Sequence, residues 1–132
     1  MEQYRIIFDG GFSPKNHVGS GRYQIDHWLV QQWSVLCQER IDLGTMLNIQ
    51  QCDLLTLKAA LVKLRTIVEN LDKIDLVILG DGSSVIYGLR GQGQQHNPQL
   101  NLMYLAIRAD LQSCNVKFQW QPRSETRKVL GI

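Results

Sequence analysis

The first apolar run, Tyr4 to Phe8, is broken only by Arg5 and stops at Asp9-Gly10-Gly11, which predicts a buried strand ended by a glycine turn. From Gly19 the stretch Gly-Ser-Gly-Arg-Tyr-Gln-Ile leads into Trp28 to Leu36, where apolar and polar side chains roughly alternate among aromatic and β-branched residues. Two antiparallel strands fit this segment, and Arg40 to Met46 carries the weaker pattern of a third. At Asp53 the period changes. Leu54, Leu57, Leu61, Leu64 and Val68 fall three or four residues apart with Lys58, Lys63 and Arg65 between them, which predicts a helix. Asn70 and Asp72 break the pattern before Ile74 to Leu79, an apolar hexad with one acid that reads as another buried strand and stops at Gly80-Asp81-Gly82. Ser83-Ser84 is placed to cap a short helix through Val85, Ile86 and Leu89 that ends near Gly91.

Arg90 to Asn97 holds glycines and amides without an apolar period and is expected to be a loop. Pro98 suits the first turn of a helix whose buried stripe is Leu100, Met103, Tyr104, Ile107 and Leu111. Val116, Phe118 and Trp120 alternate with Lys117 and Gln119 as a half-exposed strand, and Pro122-Arg123-Ser124-Glu125 leads into a short terminal segment. There is no internal repeat and no low-complexity stretch. The order of elements predicts an α/β domain over residues 1–132, a mixed sheet with helices packed on it.

Composition narrows the possibilities. A chain of 132 residues that is 44% hydrophobic suits a single core. Fourteen basic against twelve acidic side chains leave a formal charge of only +2, too little for a protein that holds nucleic acid by bulk charge, so any such contact must be local. No apolar run reaches the roughly 18 residues that span a bilayer, and the opening MEQYRIIFDGG lacks the layout of a signal peptide. A soluble, cytoplasmic protein without membrane association is expected. Cys37, Cys52 and Cys114 form no CxxC pair, so reduced thiols are expected rather than a disulfide or a zinc site.

Candidate chemistry lies in the acids. Asp9 and Asp81 each follow an apolar strand directly, and Asp53 stands at or near the start of the helix between those strands in sequence. Three carboxylates are thereby candidates to converge at one end of a sheet. Hard divalent ions prefer such oxygen ligands, and two ions about 4 Å apart suit phosphodiester hydrolysis. Each acid also has a plainer use. Aspartate before glycine is ordinary turn chemistry, and an acid in a helix's first turn is favoured by the macrodipole.

These segments together resemble a known family. Tyr4 to Gly11 is similar to the first strand and metal-binding aspartate of type 1 ribonucleases H, in their compact form without a basic helical protrusion. Gly19 to Ile25 resembles the glycine-rich entry to their second strand. Gly44-Thr-Met-Leu-Asn followed by Asp53-Leu-Leu-Thr-Leu-Lys-Ala-Ala-Leu resembles their G-T-M-T-N-N segment and E-x-x-A-L-x-x-A-L helix, with one residue inserted. Leu79-Gly-Asp-Gly-Ser-Ser-Val-Ile resembles the strand and turn carrying the third acid. Asn97-Pro-Gln-Leu with Trp120-Gln-Pro-Arg-Ser-Glu resembles the closing helix, last strand and W-x-P-R-E run.

The resemblance implies a ribonuclease H-like, five-stranded mixed sheet, its first three strands antiparallel, with helices on both faces. It implies a metal-dependent endonuclease that hydrolyses the RNA strand of RNA–DNA hybrids. Asp9, Asp53 and Asp81 would hold two Mg²⁺ or Mn²⁺ ions, and Gly10, Gly11, Asn48, Arg123 and Arg127 would face the nucleic acid. Departures accompany it: Asp53 replaces a glutamate, the paired asparagines become Asn48-Ile49, and Gly82 stands where a serine is usual. A fourth acid is missing, its matching place being Leu130, with Glu125 the nearest carboxylate and a partial stand-in. These departures keep open the alternative of a catalytically silent module that binds nucleic acid or an unidentified protein partner.

The remaining candidates are weaker. His17 and His27 lie in separate segments without ligand spacing. His96 falls in the loop after Asp81, where the family places a histidine that assists product release. Trp28, Trp33 and Trp120 suit base stacking, but strand aromatics commonly serve packing. Arg123, Arg127 and Lys128 form the one basic cluster, suited to phosphates or to a solvated tail.

Overall fold

The computed structural model describes residues 1–92 and 97–132. Three long strands, β1 (Glu2–Ser13), β2 (Val18–Leu29) and β3 (Gln32–Thr45), form an antiparallel meander. Beyond β1 lie β4 (Ile74–Gly80) and β5 (Asn115–Trp120), both parallel to it, giving the order β3-β2-β1-β4-β5. Among the described residues four α-helices complete the fold: α1 (Ile49–Ile67), α2 (Ser83–Leu89), α3 (Pro98–Asp110) and α4 (Arg123–Leu130). This is the α/β arrangement expected, with its first three strands antiparallel. No helix among the described residues is long and apolar enough to cross a membrane.

Strand parity decides what lies on each face. Tyr4, Ile6 and Phe8 of β1 share one core with Tyr23, Ile25, Leu76 and Ile78 and with Leu54, Leu57, Leu61 and Leu64 of α1. Residues of the other parity, Ile7 and Asp9 on β1 and Gln24 on β2, point to the opposite face. There α4 crosses β1 and β2, tied down by Gln38, whose Nε2 donates to Gln24 Oε1 at 2.9 Å and to the Val129 carbonyl at 3.1 Å. Helices therefore cover both faces.

Four local readings need correction. The Trp28–Leu36 segment is not one strand: the chain reverses at Val30 and Gln31, with φ of 51° and 60°, and β3 then runs unbroken to Thr45. Two-residue hairpins need positive φ, which Gly and Asn supply cheaply and Val does not, so no turn signal marked the site. Helix α1 starts at Ile49, four residues before Asp53. Asn48 Oδ1 accepts from Gln51 N at 3.0 Å and Gln51 Oε1 accepts from Leu47 N at 2.7 Å, a reciprocal cap that places Asp53 in the second turn. Gly82, not a serine, occupies the cap position of α2. The terminal segment, expected as a tail, is helix α4, with Thr126 and Leu130 buried and Gly131 ending it at φ 74°.

Two glycines bring α1 unusually close to the sheet. A Cβ on Gly21 would lie 1.8 Å from Thr56 Oγ1, and one on Gly10 would lie 2.6 Å from the Asp53 amide nitrogen. The N-terminal half of α1 thus rests directly on the backbones of β1 and β2. That close approach delivers Asp53 to the end of the sheet.

Candidate active site

Asp9 lies on β1 just past its apolar core, and Asp81 directly follows β4, the strand parallel to β1. The turn at Asp81 is held from β5: Trp120 Nε1 donates to the Asp81 carbonyl at 3.0 Å, and Gln121 N donates to the Gly80 carbonyl at 3.0 Å. Asp53 comes from α1 on the other side. All three line one cleft of about 350 Å³, together with Gln50, Ser83 and Arg123.

The three carboxylates differ in environment. Asp53 is only 6% exposed, and its Oδ1 accepts from the Gly10 amide at 2.6 Å. Burial lifts its carboxyl to about 7, with Asp9 and Asp81 adding to the rise and the Gly10 N–H and Arg123 opposing it. Asp9 is half-buried and is raised to about 6, first by desolvation and then by the Asp81 carboxylate beside it, against Arg123 and Arg127. On Asp81, Oδ2 is buried and has no hydrogen-bond partner among the described residues. Buried acceptors are almost always satisfied. A buried carboxylate oxygen without a protein donor, in a cleft shared with Asp9 and Asp53, is a position that a cation would satisfy.

That observation tests whether the residues fit the divalent ion that the resemblance implies. The donor set is all carboxylate oxygen, as Mg²⁺ and Mn²⁺ prefer, and Asp9 with Asp81 fits a hard cation. Asp53 spends one oxygen on the β1 backbone. Among the described residues no group of three or more His, Cys, Asp or Glu side chains is arranged to hold a metal ion. The cleft therefore gathers three acids without forming a closed cage.

Other expected site residues fall in varied places. Gly10 lines the cleft and packs under α1, where a Cβ would meet the Asp53 amide nitrogen at 2.6 Å, so its missing side chain makes room for the helix. A Cβ on Gly11 would meet Ser20 Oγ at 2.9 Å. Asn48 is occupied as the α1 cap. Arg123 lines the cleft, whereas Arg127 lies one turn further along α4, exposed. Glu125 is exposed in the first turn of α4 and does not line the cleft, so it does not stand in for the missing acid; an acid there suits the helix dipole. Leu130, matched to that missing acid, is 2% exposed. His96 lies outside the described residues. Trp28 and Trp33 pack edge to face, with Arg5 over Trp33 at 4.4 Å, which accounts for both rings structurally. Gln50 carries no signal in the sequence, because it lies in the first turn of α1, ahead of the leucine period that marks the helix. It accepts from the Tyr104 hydroxyl at 3.3 Å and so links the cleft to α3.

A mixed α/β sheet with one acid on its central strand β1 and another just past the neighbouring parallel strand β4, met by a third acid from a helix across one face, defines a structural class. The fold of this chain is ribonuclease H-like. It is similar to LC11-RNase H1, isolated from compost by a metagenomic approach, at TM-score 0.79 and 17% identity over 97% of this chain and 90% of that one. RNase H1 from the halophilic archaeon Halobacterium salinarum matches at TM-score 0.75 and 19% identity, covering 95% and 89% of the two chains. LC11-RNase H1 in complex with an RNA/DNA hybrid matches at TM-score 0.77 and 15% identity, covering 95% and 89%. No protein-family model matches the chain, and no curated protein sequence does.

Proposed function

We propose that this protein is a metal-dependent endoribonuclease acting on the RNA strand of RNA–DNA hybrids, with Asp9, Asp53 and Asp81 as its acidic centre. The observation that carries this reading is the cleft in which three aspartates from β1, α1 and β4 meet, one with a buried, unpartnered oxygen. Supporting it, a structurally similar protein is known in complex with an RNA/DNA hybrid. Asp9 and Asp81 would hold a Mg²⁺ or Mn²⁺ ion; bound there, it supplies Lewis-acid polarisation and a nucleophilic water at neutral pH. Asp53, fixed by the Gly10 amide, sets its carboxyl beside that pair and locks α1 to β1. Arg123, at the rim of the same cleft, is placed to meet a phosphate.

The test is cleavage of a hybrid carrying separate labels on its RNA and DNA strands, in Mg²⁺ and in Mn²⁺, with Asp81→Asn protein purified in parallel. RNA-strand cleavage by the natural sequence alone supports the reading. Equal cleavage by Asp81→Asn overturns it.

A second reading, a silent module that keeps the fold and binds without cutting, is favoured by one observation. The position matched to the fourth acid is the buried Leu130, and among the described residues no three ligands are arranged for a metal. Hybrid binding with no cleavage in either metal, by folded protein, decides for it.

A further inference from the structure

The α4 side of the cleft has a chemistry opposite to the rest of it. Arg123, Arg127 and Leu130 stand at i, i+4 and i+7, which places them on one side of α4. Both arginines act electrostatically on Asp9, across the face that Asp9 shares with α4. Among the described residues neither arginine forms an ion pair, so neither guanidinium is neutralised by a close partner. Leu130 is buried, and α4 brings no carboxylate to the cleft. The local charges are therefore three carboxylates against two guanidinium groups.

Two divalent ions would bring four positive charges into this setting, beside two fixed ones, against three carboxylates of which one has an oxygen committed to a backbone amide. One divalent ion on Asp9 and Asp81 satisfies the orphaned Asp81 oxygen and leaves the arginines free for an anion. Arginine suits this role because its planar fork pairs with phosphate through two hydrogen bonds and stays charged at any working pH. We infer that this cleft takes a single divalent cation, and that Arg123 and Arg127 supply the positive charge against the substrate phosphate that a second ion would otherwise bring. The inference rests on the nuclease reading of the cleft and narrows it to one ion plus two arginines.

The experiment titrates Mn²⁺ into the natural protein, Asp9→Asn and the Arg123→Ala/Arg127→Ala double variant by calorimetry, and measures hybrid binding in EDTA over a salt series. The result expected is one Mn²⁺ per chain, lost in Asp9→Asn. In the double variant Mn²⁺ binds a few-fold tighter, because two like charges have left its neighbourhood. The salt slope of hybrid binding should fall by about one for each arginine removed. A merely structural role for the arginines would move neither quantity. Two Mn²⁺ per chain, or an unchanged salt slope, overturns the inference while leaving the nuclease reading in place. No Asp9-dependent Mn²⁺ binding together with no hybrid binding overturns both.

Discussion

Helices α1 and α4 reach the same cleft from opposite faces of the sheet, and they are built to different standards. Helix α1 is nineteen residues long, buries Leu54, Leu57, Ala60, Leu61 and Leu64, and sits on glycine backbone so closely that no side chain fits beneath it. Helix α4 is eight residues long and buries only Thr126 and Leu130. The first delivers a carboxylate fixed to the β1 backbone, and the second delivers exposed guanidinium groups. The acidic half of the cleft is thus determined by core packing. The cationic half depends on a thin helix whose outward side chains are under little packing constraint.

The contrast can be broken most forcefully under α1. Gly21→Ala places a methyl 1.8 Å from Thr56 Oγ1 and must lift the helix or bend the strand. A loss of about 3 kcal/mol is expected in urea unfolding, partly restored by Thr56→Ala. Next is Leu130→Ala, which removes the main apolar anchor of α4 and should cost about 2 kcal/mol or more. Amide exchange would show that loss concentrated in α4 with α1 still protected, whereas equal loss of protection in both helices would erase the distinction. Asn48→Ala removes the α1 cap and should cost about 1 kcal/mol without unfolding the protein. The smallest stability effect is expected for Arg127→Ala, within about 0.5 kcal/mol, because the side chain is exposed.

The same contrast explains what was legible in the sequence. The periodic leucines of α1 and the apolar run of β4 have strong patterns because each packs into the core, and both predict the right type of element. Asp9 and Asp81 stood out because each ends such a run. The boundaries failed where the local chemistry is quiet. Val30 and Gln31 turn a hairpin without Gly or Asn, and Asn48 caps α1 five residues ahead of Asp53, where the leucine period begins. Helix α4 leaves no readable stripe in the sequence, because only two of its eight positions are buried. The close seat of α1 on Gly10 and Gly21 is a tertiary fit, invisible until both elements are placed.

The central claim is that the carboxylates gathered by β1, α1 and β4 cut RNA. The most direct test is single-turnover cleavage of a hybrid labelled on its RNA strand, by the natural protein and by Asp9→Asn, with hybrid binding measured on the same samples. The account predicts RNA cleavage by the natural protein and at least about a hundredfold slower cleavage by Asp9→Asn, with binding retained in both. Equal rates in the two proteins, or no cleavage by folded natural protein that binds the hybrid, would contradict it.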